Sequence, residues 1–467
     1  MPTPAASPRP SFVVGVGQTA FEKPRNLRDY PELGLEAAVK ALLDAGIGYD
    51  DVEQAYVGYC YGDSTCGQRV LYQLGMTGIP ITNVNNNCST GSSALWLAKQ
   101  AVEHGIADCV MALGFEKMAP GSLQTVYQDR DAPLSKTVGL MADMDLMSNG
   151  PFAAQIFGNA AEEYIQKNAA AGASWDHVAA IASKSSQHAV NNPYSQFRKA
   201  KSVEEVKKER KITKHLTLSE CCPTSDGAAC ALVCSESFLR AHGLENQAIE
   251  LVAMATATDS PRLFEDRSAV ELAGAHMTRR AARAVYEQSG VGPAEIQVIE
   301  LHDCFAANEL ITLDALGLCP PGQAHTLVEN GDLTYGGKYV VNASGGLLNK
   351  GHPLGATGLG MCFYQVLQLR GWAGAMQDPR VVPGEGVEKE GKRAYALAHN
   401  LGLGGSCVVT LFARPSFFSP SPSSLGKPNG QSRLGYNPGA ECRRTSQEDF
   451  EKVRSRRAFS QWAAARM

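Results

Sequence analysis

The sequence has no apolar run approaching the roughly 20 residues needed to cross a bilayer, and its small, Pro-rich first ten residues hold no apolar signal core. Neither a membrane span nor secretion is expected. No CxxC occurs. Cys60-x5-Cys66 and the adjacent Cys221-Cys222 do not have zinc spacing, so no metal site is expected. Neither sign of charge is in excess. A net charge of −4 and a pI near 6.2 give no reason to expect nucleic acid or an acidic membrane surface as partner. Thirteen cysteines is an odd count, and without an export signal they read as free thiols in a reducing compartment.

What the chain does have is a regular alternation of strand-like and helix-like stretches. Phe12-Val13-Val14-Gly15-Val16-Gly17 reads as a strand, 33–45 as a helix with Gly46 as C-cap, and 52–59 as the next strand. Such alternation argues for a layered α/β fold. From 119 to 245 the pattern becomes polar and irregular, as in an insertion. Its Met141, Met144 and Met147 are expected as ordinary filling rather than a pocket lining. Beyond 411, Ser, Pro, Gly and Asn dominate up to 438, a composition that buries too little to fold alone. The charged segment 446–457 has the makings of a short helix.

The second half echoes the first. Residues 37–48 align without a gap on 281–292. Cys88-Ser89-Thr90-Gly91-Ser92-Ser93-Ala94-Leu95 matches His352-Pro353-Leu354-Gly355-Ala356-Thr357-Gly358-Leu359. If the halves share a fold, Cys88 and His352 occupy equivalent strand-to-helix turns that a pseudo-twofold can bring together.

Four stretches carry residue types that cooperate in acyl chemistry: Cys88, His302-Asp303-Cys304-Phe305, Gly351-His352-Pro353-Leu354-Gly355, and His399-Asn400-Leu401-Gly402. A thiol at a helix N-terminus feels its partial positive charge, which favours the thiolate. Such a thiolate can take an acyl group, His352 can accept its proton, His302 can donate to a thioester oxygen, and Cys304 can move a proton at the substrate α-carbon. The N–H groups of Cys88 and Gly402 would make a second donor pair. Singly, each has a plainer reading: a packed core cysteine, a turn histidine, a structural His-Asp pair, a close-packing glycine run.

As a set, Asn-Asn-Cys-Ser-Thr-Gly, His-Asp-Cys-Phe, Gly-His-Pro-Leu-Gly-Ala-Thr-Gly and Asn-Leu-Gly-Leu-Gly-Gly resemble a thiolase of the sterol carrier protein X type, the peroxisomal 3-ketoacyl-CoA thiolase branch, over about 12–411. The resemblance implies a five-layer αβαβα core of two βαβαβαββ repeats with a loop-domain insertion. The first half would be 11–118 with its core completed after the insertion, the insertion 119–245, the second half 246–413, and 414–467 a disordered tail. It implies Cys88 as nucleophile and His352 as its activating base. His302 stands where most thiolases carry the Asn of Asn-Glu-Ala-Phe. Asn400 stands where most carry a second catalytic Cys, a role this branch gives to Cys304. The oxyanion sites would be His302 with His352, and Cys88 with Gly402, while Asn400 and Gly351 would help bind substrate.

The resemblance further implies coenzyme A as a substrate rather than a cofactor, acyl-CoA as the other ligand, and a homodimer. The tripeptide Ala465-Arg466-Met467 fits a permissive form of the Ser-Lys-Leu address. An import receptor and the peroxisome are therefore expected, with the cytoplasm as alternative. The tail lacks the length and apolar periodicity of the carrier domain that often follows in this branch. Two rival readings stand: a Claisen-condensing β-ketoacyl synthase, which also uses Cys-His-His, and an acyl-CoA- or lipid-binding protein without turnover.

Overall fold

The computed structural model describes residues 8–25, 28–119, 127, 129–418 and 433–464. In the first half, strand β1 (Ser11–Gln18) leads to helix α1 (Tyr30–Ala45), followed by β2 (Gln54–Gly58), β3 (Ile81–Val84), helix α2 (Thr90–Glu103) and β4 (Cys109–Glu116). Asp29 caps α1 by accepting from Tyr30 N–H at 2.7 Å, and Gly46 ends it in the left-handed conformation at φ 70°, as the sequence predicts.

Between β4 and β5 (Gly227–Ser235) the chain makes a long excursion that includes helices α3 (Phe152–Asn168) and α4 (Trp175–Ala189). The strand that returns lies inside the 119–245 stretch expected as insertion. β5 pairs antiparallel with both β4 and β1 and completes the first half-sheet, so the excursion ends near 226. Its small, apolar sequence, GAACALVCS, is buried throughout, which is what a central strand requires.

The second half repeats the plan. β6 (Ile249–Ala257), helix α5 (Ala275–Ser289), β7 (Val298–Glu300), β8 (Val340–Val341), helix α6 (Leu354–Arg370), β9 (Tyr395–Gly402) and β10 (Ser406–Ala413) follow in order. The strand order across the molecule is β3-β2-β4-β5-β1-β6-β10-β9-β7-β8. Read outward from the centre, both halves have the same order and the same parallel and antiparallel neighbours. They meet through a short antiparallel contact, Phe12 with Glu250 and Val13 with Ile249. α1 covers the outside of one half-sheet and α5 the outside of the other. α2 and α6 pack on each other between them, giving the expected αβαβα layers. Every residue of α6 is buried, consistent with its central place.

The tail departs from expectation. Helix α7 (Gln447–Val453) docks on α1 with Phe450 and Val453 buried. The Ser455 hydroxyl donates to Asp50 Oδ1 at 2.6 Å, and Arg456 N–H donates to Asp50 Oδ2 at 2.7 Å. The short helix expected within 446–457 is thus present in a tail otherwise expected as disordered, held by two apolar side chains three residues apart and a capping Ser446. Residues 419–432 and the 465–467 tripeptide lie outside the described residues. Met141 is core and Met144 half-buried, as expected of filling, whereas Met147 is exposed and fills nothing.

Candidate active site

The two equivalent turns come together. β3 delivers the chain to Asn85-Asn86-Asn87, and Asn87 turns it through φ 51°, a left-handed value that Asn tolerates better than most residues. Cys88 follows, and α2 leaves two residues later. On the other half, Gly351 at φ 110° precedes His352, whose N–H donates to Ser225 Oγ at 3.0 Å. The donor atoms of Cys88, His302 and His352 all lie within 4.8 Å of one another. Among the described residues this is also the one group of three His, Cys, Asp or Glu whose donor atoms are close enough to share a metal ion.

Hydrogen bonds assign the protons. The Thr357 hydroxyl donates to Pro353 O at 2.9 Å, so it accepts from His352 Nδ1–H at 2.7 Å. That leaves the His352 Nε2 lone pair bare, and Nε2 is buried without a partner. Burial, with Lys350 nearby, pulls His352 down to about 3, so it is a neutral base at physiological pH. His302 holds the opposite tautomer. With the Asn400 amide donating to its Nδ1 at 3.1 Å, the ring proton sits on Nε2. Burial, then His352, His399 and Lys350, hold His302 well below the usual range, so it donates as a neutral imidazole. One histidine is poised to accept and the other to donate. Replacing Thr357 by Val should cost roughly 1–3 kcal/mol in transition-state stabilisation, about 10–100-fold in kcat/KM, because His352 loses the partner that fixes its tautomer. Steady-state kinetics at constant thermal stability check this.

Cys88 is not the ready thiolate expected from its helix N-terminus. Burial and the neighbouring carboxylate of Glu116 push it up to about 12, against the pull of its own N–H and that of Leu403. The helix end is a local effect, whereas desolvation and Glu116 come from the fold around it. Cys304 lines the same cavity, its carbonyl accepting from Cys222 N–H at 2.9 Å. Burial, Cys222 and Cys88 hold the Cys304 thiol well above its ordinary value. Asp303 points away and accepts from Leu347 N–H at 2.6 Å, so it is not a partner for the His302 ring.

The site opens into a cavity of about 780 Å³ whose lining includes Cys88, His302, Cys304 and His352. Phe152, Phe157, Phe305 and Leu348 add an apolar wall. Arg198, Lys199 and Arg210 supply exposed cations at the solvent end. The cavity suits a ligand with an apolar body and an anionic head. Asn400, Gly351 and Gly402 do not line it. Asn400 orients His302, Gly351 shapes the turn against Ser225, and Gly402 packs so close to Asn86 O that a side chain there would collide. The N–H drawn to the Cys88 sulfur belongs to Leu403, one residue beyond the expected Gly402. Thr357, Leu403, Cys222 and Glu116 are absent from the sequence-based site. Thr357 stood in a quoted motif, and Glu116 is a lone charge ending an apolar strand.

Comparison with known proteins gives the family and the fold. Residues 11–237 match the family described as "Thiolase, N-terminal domain", and 256–400 match "Thiolase C-terminal domain-like". Sterol carrier protein 2 of Rattus norvegicus is 55% identical over 404 residues, which cover 86% of this chain and 71% of that protein. Two solved structures share the fold. The Ltp2-ChsH2(DUF35) aldolase has a TM-score of 0.69 at 23% identity, covering 87% of this chain and 98% of that one. Human mitochondrial 3-ketoacyl-CoA thiolase in complex with CoA has a TM-score of 0.61 at 18% identity, covering 87% and 98%.

Proposed function

Because this chain belongs to the thiolase family, and is an acyltransferase of that family, we propose that it cleaves 3-ketoacyl-CoA with a second molecule of CoA, through an acyl group carried on Cys88. The observation that carries this reading is the convergence of the Cys88, His302 and His352 donor atoms within 4.8 Å, with complementary tautomers on the two rings.

In the first half-reaction the Cys88 thiol proton passes to His352 Nε2 as sulfur bonds to the 3-keto carbon. The oxyanion formed there takes N–H bonds from Cys88 and the 402–403 backbone. The C2–C3 bond then breaks, and its electron pair moves to the thioester oxygen as an enolate, stabilised by His302 Nε2–H and protonated His352. Cys304 donates its proton to C2, releasing acetyl-CoA, or propanoyl-CoA from a 2-methyl-branched substrate. In the second half-reaction the Cys304 thiolate takes the proton of the incoming CoA thiol. The CoA sulfur attacks the acyl-Cys88 carbonyl, the shortened acyl-CoA leaves, and His352 returns its proton to Cys88.

The apolar wall formed by Phe152, Phe157, Phe305 and Leu348 favours bulky acyl chains, including branched ones. Product analysis with straight and 2-methyl-branched 3-ketoacyl-CoA, each with CoA, tests that preference. Cys304→Ala should lower thiolysis about 10²–10⁴-fold, the usual contribution of a positioned acid/base. Unimpaired thiolysis would remove the role and revive the condensing-enzyme reading, whose decarboxylative chemistry does not need this thiol. A homodimer is part of this reading, with the terminal strand β3 and its exposed Thr82 and Asn83 near the contact. So is peroxisomal import through 465–467, which a tagged chain with and without those residues tests.

A further inference from the structure

Glu116 ends β4 with no exposure to solvent. Its carboxylate accepts three backbone N–H bonds: Tyr61 at 3.0 Å on Oε1, and Cys60 at 3.2 Å and Gly355 at 2.9 Å on Oε2. All three are donors, which suits an ionised carboxylate.

The three donors belong to the two halves of the site. Cys60 braces the nucleophile turn. Its carbonyl accepts from Asn85 Nδ2 at 3.2 Å, and its sulfur lies 3.1 Å from Asn87 O and 3.2 Å from Thr90 Oγ1. Gly355 is in the first turn of α6, three residues after His352, where the helix dipole favours a negative charge. The carboxylate reaches it only because the backbones crowd together. A Cβ on Gly355 would collide with Phe115 O, and one on Gly114 with Gly355 O. The titratable groups facing Glu116 are Tyr59, Cys60, Tyr61 and Cys88, and its charge disfavours ionisation of each. Burial raises Glu116 itself to about 7, so it is charged above neutral pH.

We propose that Glu116 is a positioning residue of the acyl transfer, one carboxylate that sets the spacing between the Cys88 and His352 turns and keeps a negative charge beside the resting thiol. This rests on Cys88 as nucleophile and His352 as its base. Two consequences separate. The spacing governs how well Nε2 meets the thiol proton. The charge keeps the free enzyme from holding a reactive thiolate before substrate arrives.

Two conservative variants test them, one isosteric and one shortened. Glu116→Gln removes the charge and turns an NH₂ group towards one of the donors. Alkylation of Cys88 by iodoacetamide at pH 9, located by peptide mass, should accelerate about tenfold, corresponding to roughly one unit of lost repulsion. Glu116→Asp keeps the charge and withdraws the carboxylate by one methylene. Its alkylation profile should match the unmodified protein while kcat falls about 10²-fold at nearly constant KM, the cost of misplaced reacting groups. A merely structural residue would lower thermal stability in both and leave the pH profile of alkylation unmoved. Unchanged alkylation in Glu116→Gln, or unchanged kcat in Glu116→Asp, overturns the corresponding part. If Glu116→Gln does not fold, the Asp variant decides the spacing and the unmodified protein decides the charge: alkylation of Cys88 should climb less than tenfold per unit between about pH 6 and pH 8, where Glu116 ionises, and a uniform tenfold climb there overturns it. Alkylation needs no turnover, so an inactive enzyme with a shifted profile would count against thiolysis and not against Glu116.

Discussion

Thiolysis by the Cys88→Ala protein should fall by about 10⁵-fold or more, the scale seen when the nucleophile of a covalent mechanism is removed. No acyl adduct should then form on incubation with 3-ketoacyl-CoA, by intact-protein mass. The size of the effect follows from how little can replace this sulfur. Its turn places it within 4.8 Å of both imidazole donors. The Asn87 turn and the Cys60 brace fix its direction. Cys222 and Cys304 also line the cavity, but they lie opposite each other on a separate bridge, where Cys222 N–H meets Cys304 O. A residual rate within about 10³ of the unmodified protein, or an adduct mapped to Cys222 or Cys304, would place the acyl group elsewhere.

The second large effect concerns pH. Alkylation of Cys88 in the free enzyme should climb close to tenfold per unit from pH 8, where Glu116 is ionised, to pH 10, about 10²-fold in all, without a plateau. The thiol sits near 12 and His352 near 3, so the resting pair is neutral thiol and neutral imidazole throughout that range. Had the two formed a thiolate–imidazolium pair, the thiolate would already be complete at neutral pH and the rate would be flat. The sign for His352 follows in the same way. Its depressed value leaves the base free down to about pH 3, so kcat/KM should show no histidine limb near pH 6.5. A plateau in alkylation below pH 9 would show that the resting site is charged after all.

Much of this was legible in the sequence, for reasons that particular residues make plain. α1 announced itself by its apolar spacing and by Gly46, a local signal. The Cys88 and His352 turns were legible as equivalents because the two halves repeat. That the first half is completed after an insertion was expected, but the place where β5 returns, inside 119–245, was not, since nothing in GAACALVCS says that it rejoins a sheet left before 119. Nor was the charge state of Cys88. A helix start is visible in sequence, but Glu116 and full desolvation act through contacts that only folding creates. In the tail, the short helix within 446–457 was legible but its docking was not, because Phe450 and Val453 meet α1 only in the folded chain. Leu403 rather than Gly402 faces the sulfur through the geometry of a turn, which a motif cannot specify to one residue.

The unequal connections between equivalent strands have a further consequence. β4 and β5 are joined by the long excursion through α3 and α4, whereas β9 and β10 are joined by a tight turn over 403–405. A molecule of two like halves would present the same surroundings to Cys88 and His352. Here the excursion roofs both turns from one side, and its Phe152, Phe157 and Arg198 reach the shared cavity. Duplication thus accounts for the matched pair of turns, and the asymmetry of their loops for the division of labour that the proposed mechanism gives them, with the acyl group on one turn and the proton on the other.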